Sequence, residues 1–266
     1  MLGTRVLAAL IFTPALTAVL WQGGWALQIT CLLLSLILLH EYISLVLRPA
    51  SSGLRALTYV LGLLTALAAV QTPSAVCQQL LPLCCLLGLL TAAVLKPEPL
   101  ECSLQHAALA LLGIGWCCGL LPYLSRLRGL PEDGLGLASM ALLCTWSADS
   151  GAYFAGHRFG RHKLHPRVSP AKTLEGSLGG LVCAVLAGVA IRAAFSLKMG
   201  LLWALGLSAA CAVAGTVGDL GESLLKRSVG AKDSSRLIPG HGGLFDRFDG
   251  VLFSIGVVYC LAHWIR

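Results

Sequence analysis

Asp219, Glu222 and Lys226 fall at i, i+3 and i+7 of one apolar stretch, a spacing that lines all three along one helical face over two turns. Ser223 and Arg227 lie alongside them. Acids in an apolar helix need a partner, and clustered carboxylate oxygens are how a hard cation such as Mg²⁺ is held. A basic pair one to two turns later suits the phosphate groups that such an ion brings. The competing reading is an intrahelical ion pair at a solvated helix end. The next residues, SVGAKDSSRLIPGHGGLFDRFDGV, continue the chemistry. Lys232, Asp233 and Arg236 lead into Pro239-Gly240-His241-Gly242-Gly243, where glycines permit close backbone approach and exposed N–H groups, as in phosphate cradles. His241 is either part of that cradle or a residue that stabilises the turn. Asp246 and Asp249 then stand three apart, on one face if the last helix begins there.

A second polar joint has the same character. Asp149 sits on the helix entering it, and Arg158, Arg161, Lys163, Arg167 and Lys172 follow. The joint ends in Ser169-Pro170-Ala171-Lys172-Thr173, which reads as a helix start with Glu175 and Gly176 just inside. A basic loop at a membrane surface attracts anionic headgroups, and the same loop would serve as a phosphate site. Neither GxxxxGK[ST] nor a GxGxxG after a strand is present, so the joint is no nucleotide P-loop. His40-Glu41, near the end of an earlier apolar run, is an isolated ionisable pair, catalytic or merely solvated at headgroup level.

The elements that must position these residues are membrane helices. Apolar residues make up 57% of the 266 positions and charged residues 12%, against about 25% charged in a soluble domain. Mean hydropathy is +0.82. Runs near the roughly 20 residues needed to cross a bilayer recur, and backbone in lipid must satisfy itself, so an all-α polytopic integral membrane protein is expected. About nine transmembrane helices are predicted, at Arg5–Trp21, Trp25–Leu47, Leu54–Gln71, Val76–Leu95, Leu104–Leu124, Leu135–Ala155, Leu174–Phe195, Leu201–Leu225 and Val251–Ile265. The first reads as a retained helix rather than a removed signal peptide. The chain is expected to form a single membrane domain over 1–266. Within it, 1–134 carries little site information and 135–266 forms the catalytic half with two cytoplasmic loops. With the N-terminus inside, 14 of the 19 Lys and Arg residues fall on the cytoplasmic side, including both polar joints. Eleven cysteines, with no CxxC among them, read as packing residues.

The run from Ser223 to Asp249 resembles the signature of phosphatidate cytidylyltransferases, also called CDP-diacylglycerol synthases. The residues that carry it are Ser223, Lys226-Arg227, Lys232-Asp233, Pro239, His241-Gly242-Gly243 and Asp246-Arg247-Phe248-Asp249. Upstream, Asp149, Ala152-Tyr153, Gly156, Phe159-Gly160, Ser169-Pro170, Lys172-Thr173 and Glu175-Gly176 are similar to a second stretch of that family. His157 stands where members usually carry Arg or Lys, Ala171 where Asn or Lys is common, and Ser235 where Gly is frequent. None of these departures removes a catalytic acid or base. Before about Trp146 the resemblance rests on hydropathy and span count alone.

The resemblance implies transfer of a cytidylyl group from CTP to phosphatidate, giving CDP-diacylglycerol and pyrophosphate, dependent on a divalent metal. Asp219, Lys226, Asp246 and Asp249 are then expected to carry the chemistry. Asp219 and Asp246 are the first choice of Mg²⁺ ligands, with Asp149, Glu222 and Asp249 beside them. Five acids in one region would also accommodate a monovalent cation such as K⁺. Ser169, Lys172, Thr173, Ser223, Arg227, Lys232, Asp233, His241, Gly242, Gly243 and Arg247 are the expected substrate contacts. Lys226 is assigned to the triphosphate and Lys172 to the lipid phosphate. The expected location is the bacterial cytoplasmic membrane, with the site facing the cytoplasm. No nucleic-acid partner is expected, and a homodimer is expected only as the commonest oligomer. The alternatives are a CTP-dependent polyprenol kinase and, more remotely, an ion-coupled transporter. A CDP-alcohol phosphotransferase is disfavoured because DGxxAR is missing.

Overall fold

Long apolar runs bounded by glycine, proline and charge fold as the expected helices. The computed structural model describes residues 14–71, 75–95, 99–235, 242–262 and 264. Residues 14–22 are helical (α1), followed by α2 (Gly24–Val46), α3 (Ser52–Val70), α4 (Ala75–Leu95) and α5 (Leu100–Gly113). The last of these continues as a π-helical turn, Ile114–Leu120, before the short α6 (Tyr123–Arg128). Then come α7 (Gly134–Phe159), a hairpin of β1 (Lys163–His165) and β2 (Ser169–Thr173), α8 (Leu174–Ala194), α9 (Leu201–Ser228) and α10 (Phe245–Ala262).

Among the described residues, five helical stretches are long and apolar enough to cross a membrane: Gly24–Val46, Ser52–Val70, Glu101–Arg128, Leu174–Ala194 and Leu201–Ser228. Their outward faces are apolar too: Leu178, Val182 and Leu186 on α8 and Leu202, Val213 and Val217 on α9 are all exposed. Water does not tolerate such faces on long helices, whereas lipid does. Helices α7 and α10 are 26 and 18 residues long, but Asp149, Arg158, Asp246, Arg247 and Asp249 lower their apolar character. Most of the first expected span lies outside the described residues.

The chain divides into two compact units. The first holds residues up to Ser125 together with Asp233–Phe245. Its core includes Leu38, Leu39, Tyr42, Cys117, Cys118, Leu121 and Phe245, all fully buried. The Tyr42 hydroxyl donates to the Leu109 carbonyl at 2.9 Å, which satisfies the one polar atom of that side chain.

The second unit holds Arg126–Lys232 and Asp246–Arg266. Small residues let its helices approach closely. A Cβ added at Gly218 would lie 2.5 Å from the Asp249 carbonyl oxygen, and one at Gly250 would lie 2.8 Å from the Gly215 carbonyl oxygen. On α8, added Cβ atoms at Gly176 and Gly180 would crowd the carbonyl oxygens of Ala152 and Ala148 on α7. This is the small-residue packing that membrane helices use where burial from water supplies no drive. Hydroxyls add cross-links: Thr145 of α7 donates to Ser254 of α10 at 2.7 Å, and Ser254 donates to the Cys211 carbonyl of α9 at 3.0 Å. Ten cysteines are described, all of them free thiols.

Candidate active site

In the second unit, Gly218 and Gly250 hold α9 against α10, and their neighbours in sequence are Asp219 and Asp249. Asp219, Glu222 and Asp249 each offer one carboxylate oxygen, and the three atoms lie within 4.8 Å of one another. Oxygens opposite each other on a Mg²⁺ with bonds of about 2.1 Å are about 4.2 Å apart, so side-chain rotations of modest size would close the set. Glu222 Oε1 is buried and has no hydrogen-bond partner among the described residues. Such an orphan is costly unless a ligand occupies it. Oxygen-only donors and an unused buried carboxylate oxygen fit a hard divalent cation.

Two ammonium groups partly balance the acids. Lys172 Nζ lies 2.5 Å from Asp219 Oδ2, linking the end of β2 to α9. Lys226 Nζ lies 2.7 Å from both Glu222 Oε2 and Asp246 Oδ1, bridging α9 to the first turn of α10. The sequence places Lys226 on the acidic face, as the i,i+4 pair with Glu222 shows, but the Asp246 bond comes from packing. Asp246, expected with Asp219 as a metal ligand, pairs through Oδ1 with Lys226 and also lines the cavity, while Asp249, expected beside them, lies in the oxygen cluster. Ser223 Oγ approaches Asp219 Oδ1 at 3.5 Å.

Lys172 is brought to Asp219 by a local design of the polar joint. The Glu175 carboxylate accepts from the backbone N–H of Arg161 at 3.0 Å and of His162 at 3.2 Å, and lies 2.6 Å from His162 Nδ1. Thr173 caps α8 by accepting from Gly176 N at 3.1 Å. With both ends of the joint fastened, β1 and β2 pair antiparallel, Lys163 opposite Thr173 and His165 opposite Ser169.

The result is a cavity of about 730 Å³, within the range of about 300–1,000 Å³ usual for small-molecule sites. Asp149, Lys163, Lys172, Thr173, Asp219, Asp246, Arg247 and Asp249 line it. Its remaining wall includes Trp146, Gly156, Gly160, Gly176 and the parallel-stacked rings of Tyr153 and His157, with centroids 6.2 Å apart. Lys226 is only 15% exposed and does not line the cavity, whereas Lys172 does. Ser169, at the start of β2, and the exposed side chains of Arg227 and Lys232 also lie outside the lining. Asp233, Gly242 and Gly243 belong to the first unit, and His241 lies outside the described residues. Trp146, Ala212 and Thr216 line the cavity without having been singled out in the sequence, where single apolar or hydroxyl residues on a membrane helix carry no signal.

Comparison with known proteins points to one family. The phosphatidate cytidylyltransferase of Staphylococcus epidermidis is 33% identical over 97% of this chain and 96% of its own. That of Staphylococcus aureus is 32% identical with the same coverage. That of Bacillus subtilis is 40% identical over 153 residues, 58% of this chain and 56% of its own. The model of the cytidylyltransferase family matches residues 3–265, nearly the whole length, and the chain belongs to that family.

Proposed function

We propose that this protein transfers the cytidylyl group of CTP to phosphatidate at the cavity of the second unit, producing CDP-diacylglycerol and pyrophosphate. The observation that carries this reading is a cavity of about 730 Å³ lined by carboxylates and ammonium groups, on apolar helices of a chain whose relatives are phosphatidate cytidylyltransferases. A phosphate oxygen of phosphatidate forms a bond to the α-phosphorus of CTP, and the bond from that phosphorus to the β-bridging oxygen breaks, releasing pyrophosphate. The nucleophile is already ionised at neutral pH, so a strong general base is unnecessary. Positioning and charge stabilisation carry the rate.

Five carboxylates (Asp149, Asp219, Glu222, Asp246 and Asp249) stand beside Lys163, Lys172, Lys226 and Arg247, a surplus of negative charge that disfavours a triphosphate unless a cation is added. Mg²⁺ held by Asp219, Glu222 and Asp249 would supply that charge, and the neighbouring acids Asp149 and Asp246 are the groups that would take a monovalent cation such as K⁺. Lys172 can exchange Asp219 for a substrate phosphate oxygen, and Arg247 and Lys163 offer further positive charge at the cavity wall. Lys226 holds Glu222 and Asp246 in place. Both substrates meet where cytosol and bilayer meet, which matches a cytoplasmic site in the bacterial inner membrane; the Lys/Arg distribution supports that orientation.

The test is CTP labelled at the α- or the γ-phosphate, supplied with phosphatidate in mixed micelles. The α-label is expected in lipid and the γ-label in pyrophosphate. The γ-label in lipid instead means a kinase.

A further inference from the structure

Glu41 lies on α2, in the first unit and away in sequence from every residue assigned above. It is 3% exposed, and its carboxylate gathers both ends of the segment Asp233–Phe245. Oε1 accepts from Leu244 N at 3.0 Å and from Ser235 Oγ at 2.5 Å. Oε2 accepts from Phe245 N at 2.7 Å and from Ser234 Oγ at 3.4 Å. Gly243 makes room for this arrangement, because a Cβ there would run into Ser234 Oγ and stand 2.6 Å from Glu41 Oε2. Phe245 is fully buried and packs edge-on against Tyr42 and Trp116, with ring centroids 6.0 and 5.4 Å away.

Leu244 and Phe245 carry the N–H groups at the very start of α10, which no earlier turn of that helix can satisfy. Nearby side chains usually cap such groups. Here the cap comes from a residue about two hundred positions earlier. We propose that Glu41 is a positioning residue for the transfer reaction: it caps α10 from α2 and fixes where that helix begins. The helix start sets the rotational phase of Asp246 and Asp249, one and four residues further on. The inference rests on the proposed roles of those two acids.

Among the described residues, both oxygens of Glu41 act as acceptors, each for an N–H and a hydroxyl. Glu41→Gln preserves size but turns one oxygen into a donor facing an N–H and a hydroxyl. The experiment compares wild type, Glu41→Gln and Ser235→Ala in detergent. Hydrogen exchange at the Leu244 and Phe245 amides is read together with the Mg²⁺ dependence of labelled-CTP transfer. For Glu41→Gln, exchange at these two amides should rise about tenfold or more over wild type, as should the Mg²⁺ concentration for half-maximal rate, with phosphatidate dependence unchanged. Ser235→Ala should shift both in the same direction by less, and it carries the test alone if Glu41→Gln does not fold. Wild-type exchange at both amides, or a lowered Tm with unaltered Mg²⁺ dependence, overturns the proposal. If wild type itself transfers no cytidylyl group, the reading of function has failed, and the exchange result alone decides whether Glu41 caps α10.

Discussion

Replacing Lys226 by methionine separates a clamp from a substrate contact. Its ammonium sits 2.7 Å from Glu222 Oε2 and from Asp246 Oδ1, and the two acids' side chains are 2% and 8% exposed. Lys226→Met leaves two buried carboxylates facing each other with no ammonium between them. Breaking a buried pair by removing one partner costs about 3–5 kcal/mol, because the remaining charge is uncompensated. For a chain of this size each kcal/mol lowers Tm by about 2–4 °C, so a fall of about 6–20 °C is expected. The assay is thermal unfolding of detergent-purified protein, alongside the CTP dependence of turnover. Adding Glu222→Gln and Asp246→Asn to Lys226→Met should recover most of the stability without recovering turnover, since the penalty belongs to the orphaned charges. If Lys226→Met melts within about 2 °C of wild type while its KM for CTP rises tenfold, Lys226 is a triphosphate ligand and the clamp reasoning is wrong.

Three other outcomes are expected. Asp219→Asn and Asp249→Asn should each lower turnover by orders of magnitude while the protein stays folded and inserted, because an amide lacks the charge of a metal-binding carboxylate; near-normal rates at saturating Mg²⁺ would remove the residue from the cluster. Gly218→Ala should cost about 1–3 kcal/mol in thermal stability and weaken activity, since its Cβ would meet the Asp249 carbonyl at 2.5 Å; a wild-type melting curve would show that α9 and α10 do not need this approach. Single cysteines placed at exposed Arg161 and Lys232 in a Cys-less background should resist an impermeant reagent in intact cells, and labelling of either from outside would reverse the assigned orientation.

Much of the site was legible because helical spacing is rigid. Asp219, Glu222 and Lys226 share a face of α9, as their offsets require, and most helix ends fall within a few residues of the hydrophobic runs. The partners were not legible. Which ammonium meets Asp219 depends on how close α9 comes to α10 and where Glu175 pins the joint, and neither is encoded in a local pattern. Lys172 therefore lines the cavity, while Lys226, closer in sequence to the acids, is taken up as a bridge. The β1–β2 hairpin gives no strand signal in the sequence, because strands of three and five residues rich in Lys, His and Pro show no apolar alternation. The role of Glu41 was hidden for a different reason: its partners lie about two hundred residues away, and a lone acid in a helix does not announce them.

The oxygen cluster of α9 and α10 is the centre of this account, and divalent-ion binding tests it without reference to turnover. Purified protein is titrated with Mn²⁺ as a stand-in for Mg²⁺, and the free ion is followed by its paramagnetic resonance signal. Wild type should bind Mn²⁺ with CTP present, and Asp219→Asn with Asp249→Asn in the same chain should lose that binding while remaining folded. Equal Mn²⁺ binding by the two proteins would contradict the assignment and place the ion elsewhere.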